Sequence, residues 1–131
     1  MRSFSKGTCL AEFILFTKAH PLSRPRKSAG NHIYQPLSNQ QEARAQIIES
    51  WIHTGVIDQN CIIEIDFYFS SRLSYVSKSD IDNLVKAQLD NLQACKIIKN
   101  DNLVVGIEAY KNSAKEDLMM IVIYEAKEHE S

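Results

Sequence analysis

The sequence lacks the residues that define several specialised protein classes. Its three cysteines, Cys9, Cys61 and Cys95, are odd in number and widely spaced, so they fit neither a disulfide framework nor a Cys-x-x-Cys zinc site. The four histidines are scattered, which argues against a histidine-rich metal centre. No apolar run approaches the roughly 20 residues of a membrane-spanning helix. We therefore expect a cytoplasmic globular protein with reduced thiols and no membrane segment.

An overall excess of charge is also missing. The 15 basic and 16 acidic residues give a formal net charge of −1, which by itself does not indicate nucleic-acid binding. The charges are unevenly placed, however, because residues 1–50 hold seven Lys/Arg and three Asp/Glu, whereas residues 51–131 hold eight and thirteen. This asymmetry allows a basic surface beside an acidic centre. The length of 131 residues predicts one domain spanning 1–131.

Proline is scarce, and all three prolines lie between Pro21 and Pro36. Their clustering predicts a long exposed loop at residues 19–38. Within it, cationic and aromatic side chains alternate as in segments that bind a nucleic-acid backbone, and the candidate DNA-binding residues are Arg24, Arg26, Lys27 and Tyr34. The alternative is a solvated loop whose charge only keeps the protein soluble.

The hydrophobic pattern predicts a small α/β (α+β) domain with the order β-α-β-α-β-β. We predict strands at 11–17, 61–69, 103–110 and 118–125, and helices at about 40–53 and 81–93. The last strand is apolar on both faces and should lie inside the sheet. These elements imply a mixed four-stranded sheet packed with two helices. Residues 125–131 are charged and are predicted to form a frayed tail.

The polar run that begins at Asp80 is the most informative segment. On a helix at 81–93, Asp82, Lys86 and Asp90 recur every four residues and form one polar ridge. Asp80 converges with Asp82 only if it lies in the non-helical residues before the helix. Because Mg²⁺ prefers a few carboxylate oxygens together with water and phosphate oxygens, we interpret the run as a site for a hard divalent cation.

A purely structural interpretation of the same helix stays open. Ser79-x-x-Asp82 resembles a capping box, acidic residues are favoured near a helix N-terminus, and Asp82 and Lys86 form an ordinary i, i+4 pair. Capping does not explain Asp101, which precedes the strand-like residues 103–107. We expect a strand running back beside the helix to bring Asp101 to the N-terminal end of the helix, although a solvated turn also accounts for it.

These residues resemble the RusA-type Holliday junction resolvases. The family motif is Asp-x-Asp-Asn-x-x-Lys-x-x-x-Asp, followed by an Asp-Asp pair before a strand. The chain matches it at Asp80, Asp82, Asn83, Lys86, Asp90 and, in the second position of the pair, Asp101. The first position of the pair holds Asn100. The resemblance extends from about residue 12 to residue 125.

The resemblance implies a structure-specific endodeoxyribonuclease that depends on Mg²⁺, with Mn²⁺ able to substitute. Such an enzyme resolves four-way DNA junctions by paired symmetric nicks in recombination and repair. Its implied partners are branched DNA and a second copy of the chain. Association with a membrane is not implied. By the same resemblance the catalytic residues are the metal ligands Asp80, Asp82 and Asp101 together with the cation Lys86, and the accessory residues are Asn83, Asp90 and Asn100.

Two other hypotheses stay open. The chain can be a protein of the same fold that binds branched DNA without cutting it, because Asn100 departs from the family pattern. It can also be an unrelated small domain whose acidic run only caps a helix.

Overall fold

Strands dominate the part of the chain that the computed structural model describes, which comprises residues 2–21, 26–27, 33–34, 38–51, 55–70 and 80–130. The elements in this part, in chain order, are β1 (Arg2–Leu15), β2 (Arg26–Lys27), β3 (Ile33–Tyr34), α1 (Ser38–Ser50), β4 (Cys61–Phe69), α2 (Ile81–Ala94), a 3₁₀ helix (Asp101–Leu103), β5 (Val104–Ser113) and β6 (Leu118–Glu130). No helix of these described residues is long and apolar enough to cross a lipid bilayer.

Four of the strands form one mixed sheet in the order β1-β6-β4-β5. The neighbours β4 and β5 are parallel, whereas β6 is antiparallel to both β1 and β4. The predicted mixed four-stranded sheet with two helices is therefore confirmed, and β6 lies inside the sheet as its apolar pattern indicates. The short strands β2 and β3 pair separately as a hairpin within residues 19–38, where the sequence predicted only a loop.

The core lies between the helices and one face of the sheet. In β4 every second side chain is buried, including Ile63, Ile65 and Phe67, because alternate residues of a strand point to opposite faces. Buried residues of both helices, such as Ile47 and Leu84, belong to the same hydrophobic cluster. Both helices therefore cover one face of the sheet, and the polar residues of β4 lie on the other.

The chain ends are more ordered than the sequence suggested. Residues 125–130 continue β6 and pair with the first half of β1, with Arg2 opposite Glu130 and Lys6 opposite Ala126. The predicted frayed tail is therefore wrong for these residues, since a distant segment satisfies their backbone hydrogen bonds. On the same sheet, Lys6 Nζ donates to Glu64 at 3.0 Å and to Glu108 at 2.7 Å, and these two hydrogen bonds raise its pKa, with the bond to Glu108 contributing more.

Helix α2 connects the parallel strands β4 and β5, and this connection fixes its direction. A helix that joins two parallel strands must run back along the sheet, so α2 begins near the end of β4 and ends near the start of β5. Its 14 residues span about 21 Å. The two ends of α2 therefore lie at opposite ends of the parallel strands.

A tight turn ends α2 and leads the chain toward β5. Ile97 N donates to Leu92 O at 2.9 Å and Lys96 N donates to Gln93 O at 3.1 Å, which is the Schellman pattern. Lys96 occupies the left-handed position of this turn with a φ of 60°. The buried residues Ile97 and Ile98 then pack into the core and bridge to Ile57, which anchors the segment that precedes the 3₁₀ helix.

Candidate active site

Asp80 is the residue immediately before the first turn of α2. Its backbone is extended, with φ −69° and ψ 124°, and its carbonyl oxygen accepts a hydrogen bond from Leu84 N at 3.1 Å. The prediction that Asp80 lies in the non-helical cap is confirmed. Its carboxylate makes no capping hydrogen bond, so helix capping does not explain why an acidic side chain stands at this position.

Asp82 and Lys86 follow on one exposed ridge of α2. Asp82 Oδ1 accepts a hydrogen bond from the neighbouring Asn83 N at 3.0 Å. The predicted i, i+4 ion pair between Asp82 and Lys86 is absent, and among the described residues no carboxylate lies within salt-bridge distance of Lys86. The i, i+4 pairing therefore does not account for these two side chains, and the catalytic role of Lys86 stays a prediction.

The same two side chains line a groove of about 440 Å³ between α2 and β5. The other lining residues are apolar, namely Ile81, Val85, Leu89, Ile107 and Ala109. A carboxylate and an ammonium group thus lie at the rim of an apolar surface. At Ile107, which is 44% exposed, this surface is open to solvent, whereas Val85 belongs to the buried core.

Asp101 lies at the other end of α2. It begins the 3₁₀ helix, and its backbone N–H donates to Gln93 Oε1 at 3.1 Å, near the last residue of α2. Between Asp82 and Gln93 the helix axis rises about 16 Å. Within the described residues no group of three His, Cys, Asp or Glu side chains is close enough to hold a metal ion.

The expectation that a returning strand brings Asp101 to the N-terminal end of the helix is therefore wrong for a single chain. The reason is the parallel pairing of β4 and β5. The turn before β5 lies at the end of the sheet where these strands begin, and α2 starts at the end where they finish. One chain brings together Asp80, Asp82 and Lys86 on the first turns of α2, and it leaves Asp101 apart from them.

Two of the accessory residues, Asn100 and Asp90, have structural partners. Asn100 Oδ1 accepts a hydrogen bond from Asn102 N at 3.0 Å and so caps the 3₁₀ helix. Asn and Asp cap helices about equally well. Asn100 can therefore form the same local turn as the Asp that the family motif has at this position. Asp90 lies 3.8 Å from Arg44 of α1, and Asn83 is half-buried in the first turn of α2.

A buried polar network that sequence reasoning did not identify connects the two helices. Asn91 is fully buried, its Nδ2 donates to Gln40 Oε1 at 3.0 Å and to Gln88 Oε1 at 3.2 Å, and its Oδ1 accepts from Arg44 Nε at 2.8 Å. Gln40 Nε2 in turn donates to the carbonyl oxygen of His20, at the start of residues 19–38. The available signal was the pair Gln88 and Asn91 within the apolar stripe of α2.

The candidate DNA-binding residues are only partly described. Arg24 lies outside the described residues. Arg26, Lys27 and Tyr34 belong to the β2–β3 hairpin, in which Arg26 is opposite Tyr34, and the structure gives only their backbone. Their contact with DNA stays a prediction.

The cysteines take no part in this site. Burial raises the pKa of the Cys61 and Cys95 thiols, so both are held in the neutral form, as inert thiols are. The cysteines of the described residues are not paired in disulfides.

A family model described as endodeoxyribonuclease RusA matches residues 18–124. The matched region contains both helices, the parallel strands β4 and β5, and every residue from Asp80 to Asp101. No curated protein matches the sequence.

Proposed function

Because this chain belongs to the RusA family of endodeoxyribonucleases, we propose that it resolves four-way DNA junctions by paired, symmetric nicks that require Mg²⁺, with Mn²⁺ able to substitute. Recombination and repair in the cytoplasm are the processes in which such an activity acts. The observation that carries the proposal is the first turn of α2, where the carboxylate of Asp80 has no capping role and the ammonium of Lys86 has no carboxylate partner among the described residues.

The side chains at this helix end fit a hard divalent cation. Asp80 and Asp82 supply carboxylate oxygens, which together with waters and substrate phosphate oxygens form the usual ligand set of Mg²⁺. Asp101 lies at the opposite end of α2, so Asp80 and Asp82 are the carboxylates that one chain supplies at this helix end. When bound, the ion polarises the scissile phosphate and lowers the pKa of the attacking water.

The protein's own groups add to this electrostatic field. Phosphodiester cleavage develops negative charge on the phosphoryl oxygens, and the Lys86 ammonium stabilises that charge from the same ridge as Asp82. The N-terminus of α2 also favours an anion, because the Asp80 side chain does not cap its first backbone N–H groups, of which Asn83 N is bonded to Asp82 Oδ1. Both effects orient a DNA phosphate toward Asp80 and Asp82.

Incubation of a synthetic four-way junction with the protein and Mg²⁺ tests this function, with linear duplex DNA of the same sequence as the substrate control. We expect nicks at symmetry-related positions in two strands of the junction and no cutting of the duplex. Asp82→Asn should abolish cleavage and retain junction binding. Glu12→Gln is the matched control, because Glu12 is exposed on β1, at the other edge of the sheet from β5.

The separation of Asp101 from Asp80 and Asp82 favours one second candidate, a junction-binding protein that does not cut. Tight junction binding without Mg²⁺-dependent nicks by the wild-type protein would support it. The third interpretation, an unrelated small domain, does not agree with the family match over residues 18–124.

A further inference from the structure

An apolar stripe lies on the face of the sheet opposite the two helices. Met120, Val122 and Tyr124 of β6 point to this open face, since the alternate residues Ile121 and Ile123 are fully buried on the helix side. The three side chains of the stripe are half-buried and partly open to solvent. A strand that is apolar on both faces is typical of a sheet with cover on both sides. The described helices cover only one of those sides.

The central place of β6 in the sheet does not explain this pattern. β4 is central too, but on the same open face it carries Glu64 and Asp66. Glu64 is opposite Val122, and Asp66 is opposite Met120. A sheet face in contact with water is normally polar, as β4 is. The apolar stripe on β6 therefore indicates that another molecule covers this face.

Carboxylates border the stripe on both sides. Glu12 of β1 lies opposite Val122, and Glu108 of β5 lies opposite Glu64 in the neighbouring strand β4. Residues opposite each other in a sheet point to the same face. The open face thus carries four carboxylates around the stripe, those of Glu12, Glu64, Asp66 and Glu108.

Lys6 shows how the open face holds a cation. Its Nζ donates to Glu64 at 3.0 Å and to Glu108 at 2.7 Å, and it lies 5.2 Å from the centroid of the Tyr124 ring. Among the described residues, no cation lies within salt-bridge distance of the other two carboxylates of the face. One ammonium group does not balance four carboxylates. The face therefore repels the phosphates of DNA or of an anionic lipid and favours a cationic protein segment.

We propose that the open face is a docking surface for a basic amphipathic helix of another protein. The helix lies along β6, with its apolar side on Met120, Val122 and Tyr124 and its lysine or arginine side chains over the carboxylates on either side. The inference goes beyond the nuclease function and does not depend on it, because the open face lies on the opposite side of the sheet from α2.

The dimensions of a helix fit this arrangement. Neighbouring strands are about 4.8 Å apart, so the carboxylates of β1 and β4 are about 10 Å apart across β6. A helix with its side chains is about 10–12 Å wide, and its two flanks therefore reach both strands. The apolar part of β6, from Leu118 to Tyr124, is about 20 Å long. A helix of about 14 residues covers that length.

Synthetic peptides of about 14 residues test the docking surface. One has leucines at helical spacing flanked by lysines, a second has glutamate in place of every lysine, and a third has the composition of the first in scrambled order. In fluorescence anisotropy, the wild-type protein should bind the lysine peptide with micromolar affinity, at least ~10-fold more tightly than either of the others. Equal affinity for the three peptides, or no binding of the lysine peptide, would refute the proposal.

Charge reversal tests whether the carboxylates select the partner. The double variant Glu12→Lys, Asp66→Lys should lose affinity for the lysine peptide and gain affinity for the glutamate peptide. The matched control is Glu42→Lys, Glu49→Lys, which changes the net charge equally at two exposed positions of α1. This control should bind like the wild type. An equal loss in both double variants would show only non-specific attraction between charges and would overturn the docking surface.

The apolar stripe has its own test. Val122→Lys should weaken binding of the lysine peptide at least ~10-fold. Ile14→Lys is the second variant, because Ile14 is opposite Met120 and is 46% exposed, so a lysine there does not disturb the core. Ile48→Lys is the control, since Ile48 is 63% exposed on α1. Wild-type affinity in Ile14→Lys would contradict the proposed position of the helix.

The location of the bound peptide is measured directly by NMR. Titration with the lysine peptide should change the amide chemical shifts of β1, β6 and β4, and duplex DNA should not displace the peptide. Shift changes confined to α1 and α2, or displacement of the peptide by duplex DNA, would show that the peptide binds elsewhere and would overturn the proposal.

Discussion

Replacement of Lys86 by Met should separate catalysis from stability. Lys86 is exposed on α2, and no carboxylate of the described residues lies within salt-bridge distance of its ammonium. Met keeps the length of the aliphatic stem and has a helix propensity close to that of Lys. The free energy of unfolding of the protomer should therefore change by no more than about 0.5 kcal/mol.

The effect on cleavage should be much larger. Loss of one preorganised group that stabilises charge on the transition state typically lowers the rate 10²–10³-fold, or about 2.7–4 kcal/mol. We therefore expect Lys86→Met to cut a four-way junction at least ~100-fold more slowly than the wild type in single-turnover assays with saturating Mg²⁺. A catalytic cation is distinguished from a structural one because its loss raises the activation free energy of cleavage by far more than it changes the free energy of unfolding.

The assay needs two further variants. Lys86→Arg retains the charge and should recover part of the rate, whereas Lys115→Met, an exposed lysine in the turn between β5 and β6, should cut like the wild type. Urea unfolding monitored by the fluorescence of Trp51 supplies the stability of each variant. Cleavage by Lys86→Met within threefold of the wild-type rate would refute the role assigned to this ammonium group.

Three further predictions concern the elements that support the site. Asn91→Leu removes the hydrogen-bond partner of Arg44 Nε, Gln40 Oε1 and Gln88 Oε1. Urea unfolding should therefore show a loss of about 3 kcal/mol or more, and a loss below 1 kcal/mol would contradict the network. Lys96→Gly relieves the left-handed backbone that follows α2 and should stabilise the protein by about 1 kcal/mol in the same assay. Burial lowers the pKa of His20 below the usual histidine value of 6.5, so the unfolded chain binds more protons and stability should fall as the pH drops below about 6.5. The wild type should lose more stability between pH 7.5 and pH 5.5 than His20→Gln, and equal losses would refute this assignment.

The DNA-binding hypothesis for residues 19–38 has its own test. Replacement of both Arg26 and Lys27 by Ala should weaken binding to junction and duplex alike and reduce the dependence of binding on salt, because contacts with phosphate release counterions. Fluorescence anisotropy at several salt concentrations measures both quantities. An unchanged salt slope would exclude the β2–β3 hairpin from the interface.

Much of the fold followed from local pattern. The strict alternation in residues 61–69 predicted β4 with its observed bounds, and the apolar stripe of residues 81–93 predicted α2 to within one residue. The conformation of Asp80 followed from the same helix, since convergence with Asp82 requires an extended residue before the first turn. These features depend on near neighbours in the chain.

Features that depend on distant pairing could not be inferred in this way. The first half of β1 is polar and has little strand signal of its own, and residues 125–130 are charged, but the two segments pair from Arg2 opposite Glu130 onward. The position of Asp101 is the more important case. The sequence shows how many residues separate it from Asp82, but it does not show how far apart the two side chains lie in space.

The sequence by itself determined which carboxylates, which lysine and which helix are the candidates for a site, because residue type and helical spacing are local properties. Only the tertiary structure decided where these groups lie in space. The parallel pairing of β4 and β5 forces α2 to run back along the sheet from the end of β4 to the start of β5, and this separates Asp101 from Asp80 and Asp82 in a single chain. Strand direction is set by contacts between segments far apart in sequence, which no local pattern encodes.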